Sequence, residues 1–75
     1  MQKIKPTDAA KVMGCSPQFI RIGLQQGKLH IGEAIKMSSM WTYNISPALL
    51  AARQGITVGE LEATIEENRK NEMEK

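Results

Sequence analysis

Met13-Gly14-Cys15-Ser16-Pro17-Gln18-Phe19-Ile20-Arg21-Ile22-Gly23-Leu24-Gln25-Gln26-Gly27, MGCSPQFIRIGLQQG, is the stretch on which the fold turns. Gly14 stops a preceding helix, because glycine takes the left-handed conformation without a Cβ penalty. Ser16-Pro17 restarts the chain as a helix: serine caps free amides, and proline is pre-set for the first helical position. Gly27 ends the new helix, which is expected from Pro17 to about Gln26. At about 100° per residue Ile20, Gly23 and Leu24 share the core side. Gln18, Arg21, Ile22 and Gln25 point the other way, with Phe19 and Gln26 on a flank.

Upstream, Thr7 reads as the N-cap of a short helix from Asp8 to Met13, with Asp8 where the helix dipole favours an acid. Ala9, Ala10, Val12 and Met13 are its apolar side. Downstream, Met40-Trp41-Thr42-Tyr43-Asn44-Ile45 is rich in strand formers, and the Ser38-Ser39 pair divides it from the run before it, which predicts a hairpin. The turn is neither Asn-Gly nor Asp-Gly, so its register stays open. Trp41 and Tyr43 are expected to pack the hairpin onto the helices. Ser46-Pro47 repeats the cap-plus-proline signal and opens a third helix that stops at Gly55. Thr57 and Glu60 form a capping box for a fourth, on which Leu61 and Ile65 make a narrow apolar stripe. The polar run after Ile65 is expected to fray.

Seventy-five residues hold one domain and a compact core. One cysteine, Cys15, excludes an internal disulfide, and no Cys/His cluster has metal-ligand spacing. His30 has no second ligand or nucleophile beside it. Neither a signal core nor a membrane-length apolar run is present, so the expectation is a soluble, cytoplasmic chain without cofactor, metal, membrane or small-molecule substrate. The net charge of +2 is uneven: residues 1–55 carry seven bases against two acids, residues 56–75 six acids against three bases. A basic body suggests a polyanionic partner. No paired carboxylates, activated nucleophile or ligand set appear, so an enzyme is not expected. The chain divides into a flexible arm over 1–5, a body over 6–55, and an acidic helix with frayed tail over 56–75.

Short helix, glycine turn, capped second helix, hairpin, helix is the order of a winged helix-turn-helix: mainly α with a small β-hairpin. Thr7-Asp8-Ala9-Ala10, Gly14-Cys15-Ser16, Gly27-Lys28-Leu29, Trp41 to Ile45 and Pro47 to Arg53 resemble the excisionase family of small DNA-binding proteins, related to the DNA-binding domain of MerR-type regulators. The resemblance spans about residues 6–55. It implies a second helix in the major groove, where Gln18 and Gln25 suit adenine edges and Arg21 suits guanine or phosphate. It also implies a helix start at Ser16 and Pro17 open to a phosphate oxygen, and a wing laying Lys36, Ser38 and Ser39 along the backbone or an adjacent groove. Ile22 and Lys28 complete the DNA-facing set.

Relatives carry several arginines on the second helix, whereas Arg21 stands alone here and Lys36 is accompanied by Glu33. Phosphate contacts supply most of the affinity, so single copies should bind double-stranded DNA weakly and act beside further copies or an integrase. Phe19, Leu61 and Ile65 are candidate partner contacts; Phe19 and Ile22 would equally serve as core or wing packing. Gln18, Arg21 and Gln25 would equally serve as a solvated face. Lys3 and Lys5 either touch phosphate or solubilise the end. The resemblance implies an excisionase-like protein of a phage or mobile element, bending DNA and directing recombination. A transcriptional regulator of the same fold, or a protein adaptor that has lost DNA binding, are the alternatives.

Overall fold

In a computed structural model, which describes residues 3–73 and the side chains of 3–72, four helices are joined by a two-stranded antiparallel hairpin that follows the second. The order is α1 (Pro6–Met13), α2 (Pro17–Gln25), β1 (Gly32–Met37), β2 (Met40–Ile45), α3 (Pro47–Gln54) and α4 (Val58–Met73). The chain is thus mainly helical with a small β element. Among the described residues no helix is long and apolar enough to cross a membrane.

The start of α1 departs from expectation. Pro6 occupies the first turn and Thr7 lies inside the helix. The Lys5 amide donates to Asp8 Oδ2 at 2.9 Å, so Asp8 reaches back from the third helical position to a cap at Lys5, two residues before Thr7. Gly14 closes α1 at φ 71°, leaving Cys15 and Ser16 before α2. Ser16 Oγ accepts the Phe19 amide, Ser46 Oγ the Leu49 amide, and Thr57 exchanges reciprocal bonds with Glu60, as the sequence predicted.

Ile4, Ala9, Ala10, Ile20, Leu24, Leu29, Ile31, Ile45, Leu50, Ala51, Leu61 and Ile65 form one core. Ala9 and Ala10 bring α1 close to α2, and α1 and α3 both pack on α4. Leu61 and Ile65 are 0% and 2% exposed, so they belong to this core and offer no partner contact. In a chain this small, a stripe too narrow for a free-standing helix is enough to close the bottom of the core.

Two further expectations fail for one reason. Past Ile65, α4 continues to Met73, and residues 3–5 lie against it. Arg69 donates from Nη2 to Asp8 Oδ2 at 2.7 Å, from Nε to Asp8 Oδ1 at 3.2 Å and from Nη2 to the Lys3 carbonyl at 3.0 Å. This bidentate clamp docks the tail on α1 and pins the arm, while Lys11 and Glu72 pair further out. Ile4 is 2% exposed and sits in the core. The frayed tail therefore does not begin after Ile65, and the arm does not extend to residue 5. Met1, Gln2, Glu74 and Lys75 lie outside the described residues.

The hairpin pairs Gly32 with Ile45 through Met37 with Met40, which makes Ser38-Ser39 a two-residue turn. Ser38 has φ 59° and Ser39 is not left-handed, the pattern of a type II′ turn that favours glycine at its first central position. Gly32 is required by a close approach: a Cβ there would lie 2.1 Å from the Asn44 carbonyl oxygen and 2.7 Å from Ile45 Cα.

Candidate functional site

The exposed side of α2 splits into two halves. Helical phase puts Ile22 opposite the Ile20/Leu24 core side, with Arg21 and Gln25 to one flank and Phe19, Gly23 and Gln26 to the other. Gln18 and Gln25 are exposed and Arg21 is half-buried. Gln25 Nε2 donates to Tyr43 Oη at 2.6 Å, which ties this polar half to the hairpin. With one amide hydrogen engaged, Gln25 keeps its other N–H and its carbonyl oxygen, the donor and acceptor needed at an adenine edge.

The other half lines an apolar groove of about 420 Å³ with Ser16, Gln18, Lys28, Leu29 and Arg53. Phe19 is 53% and Ile22 41% exposed, so neither is core and neither packs under the hairpin. Gly23 lets Leu29 close against the helix, since a Cβ at residue 23 would come within 2.9 Å of Leu29 Cβ. Arg53 was not foreseen at this surface. It comes from the last turn of α3, and only the tertiary fold brings it beside Lys28.

Ser16 is exposed and its hydroxyl is occupied by the Phe19 amide, while Pro17 is half-buried. On the hairpin, strand alternation and register separate the expected wing residues. Lys36 shares a face with Trp41, Tyr43, Ala34 and Ile45; the opposite face carries Glu33, Ile35, Met37, Met40, Thr42 and Asn44. Ser38 and Ser39 are exposed at the tip, flanked by the exposed Met37 and Met40. Tyr43 packs against the core, as expected. Trp41 is 37% exposed and borders a cleft with Lys3, Ile4, Lys5, Pro6, Thr42 and Tyr43.

Electrostatically the basic surface loses little to internal pairing. Burial alone would push the Asp8 carboxyl up, but hydrogen bonds from Arg69 and the Lys5 amide, with the Arg69 charge, outweigh it and hold the carboxyl below its usual value. Asp8 is thus neutralised by the acidic tail's own arginine, and Glu33 is the remaining acid within residues 3–55. Among the described residues no group of three His, Cys, Asp or Glu side chains could hold a metal ion, and Cys15 is a half-buried thiol. No protein-family model, no curated protein and no solved structure matches this chain.

Proposed function

We propose that this chain is a small DNA-binding protein of the winged helix-turn-helix type, with α2 in the major groove and the β1–β2 hairpin as its wing. We place it with the excisionase-like proteins of phages and mobile elements, which bend DNA and set the direction of recombination. The observation that carries the reading is the Gln25–Tyr43 bond. It joins the polar half of α2 to the hairpin, so that Gln18, Arg21, Gln25 and the wing form a single surface that can meet one duplex. The resemblance of residues 6–55 to excisionases supports it, as do residues 1–55 with only Asp8 and Glu33 against seven bases. Few bases mean modest affinity per copy, so several copies or an integrase complete the assembly.

Fluorescence anisotropy with duplex DNA over a salt series tests this. Binding should weaken linearly in log salt, and Arg21→Ala should weaken it more than Lys70→Ala. Absence of binding to every duplex, including attachment-site DNA from an adjacent integrase locus, refutes it. A transcriptional regulator would bind in the same way but leave excision in a reconstituted reaction unchanged. A specific observation also favours the adaptor alternative: the apolar groove under Phe19 and Ile22, rimmed by Lys28 and Arg53. A stoichiometric protein partner lost on Phe19→Ala, with no DNA binding, would decide for that alternative.

A further inference from the structure

Residues 3–5 alternate: Ile4 is buried, while Lys3 and Lys5 are exposed. In extended chain this puts both lysines on one side, roughly 7 Å apart along the backbone. Their main chain is held, because the Lys3 carbonyl accepts from Arg69 and the Lys5 amide donates to Asp8. Facing them across a cleft of about 350 Å³ stand Trp41, Thr42 and Tyr43. Lys36 is the cross-strand neighbour of Trp41 on the same hairpin face. Lys3 and Lys5 thus share the cleft with a part-exposed indole that has Lys36 as its cross-strand neighbour, and among the described residues no acid lines the cleft.

We infer that this cleft between residues 3–6 and the inner face of the hairpin is a second anion site, which takes the phosphodiester backbone of the duplex that α2 reads. The inference rests on the DNA-binding reading and adds Lys3, Lys5 and Trp41 to its contacts. The lysines supply charge to phosphate oxygens, and the indole N–H supplies a neutral donor. Because the lysine backbones are fixed before binding, less ordering cost accompanies contact than for a loose arm. The contact is to backbone, so it strengthens all sequences alike and leaves base preference to α2.

Trp41 is the only tryptophan, so its emission reports on this cleft alone. Iodide, an anion drawn to the lysines, should quench free Trp41 efficiently and bound Trp41 poorly once duplex fills the cleft. In anisotropy, the double variant Lys3→Gln/Lys5→Gln should make the slope of log K against log salt shallower by about two, with an unchanged ranking of duplex sequences. If the wild type binds duplex while Trp41 stays equally open to iodide, or the double variant keeps the wild-type slope, the cleft is no phosphate site and the α2 reading stands without it. If the wild type binds no duplex, both fall. The iodide measurement needs no variant, and far-UV circular dichroism checks that the double variant is folded.

Discussion

Replacing Arg69 with methionine keeps an apolar stem and removes the guanidinium. The change strands a carboxylate whose side chain is only 10% exposed, and it frees the Lys3 carbonyl. The hydrogen bonds that vanish include two charge-assisted ones to Asp8 and one to the Lys3 carbonyl. Such bonds are worth about 1.5–3 kcal/mol each where fully desolvated; with Arg69 itself 26% exposed, solvent screening reduces the sum to a loss of about 2 kcal/mol. A domain of this length has about 4–11 kcal/mol in all, so melting should fall by about 8–16 °C.

The pH dependence makes that prediction specific. Asp8 has a folded pKa below its unfolded value of about 3.9. Its contribution is therefore fully present above that value and disappears as pH falls through the lower folded pKa. The gap between wild type and Arg69→Met should be widest at neutral pH and close in acid. Urea unfolding followed by circular dichroism at several pH values measures it, and hydrogen exchange should show lost protection over residues 66–72. The exposed Lys11–Glu72 pair is the control, and Lys11→Ala should cost under about 0.5 kcal/mol. An Arg69→Met loss no larger than that of Lys11→Ala, or one independent of pH, refutes the clamp.

Gly32→Ala should destabilise by on the order of 3 kcal/mol, because the added carbon meets β2 main chain that cannot rotate away; a melting temperature within 3 °C of wild type contradicts this. Ser38→Gly should stabilise by up to about 1 kcal/mol by relieving the left-handed serine, net of glycine's entropy, and a loss in thermal denaturation would count against the type II′ turn. Tyr43→Phe should cost under about 1 kcal/mol in folding but flatten the preference for one base pair by releasing Gln25, without altering the salt slope. A binding-site selection with unchanged preferences would dissociate Tyr43 from recognition.

What was legible in the sequence was local. Ser16-Pro17, Ser46-Pro47 and Thr57 with Glu60 set three helix starts through contacts three residues apart, and the hairpin turn fell on Ser38-Ser39. Thr7 misled because two local rules competed, and the fixed φ of Pro6 together with the reach of Asp8 to Lys5 took the start earlier. The tail misled because its anchor is not local: Arg69 and Asp8 are 61 residues apart, and a polar helix with no apolar stripe beyond Ile65 carries no sign of that partner. At the candidate site, helix phase separated core from exposed residues on α2. Its division into a polar half tied to Tyr43 and an apolar half facing Arg53 depended on where the hairpin and α3 pack.

The central claim is that α2 and the hairpin together form a DNA-reading surface. Titrating 15N-labelled protein with duplex DNA and following backbone amide shifts tests it most directly. The account predicts the largest shifts at residues 16–26 and 32–45, with the exposed side of α4 silent. Shifts concentrated on Val58–Met73, or none at any duplex concentration, would contradict it.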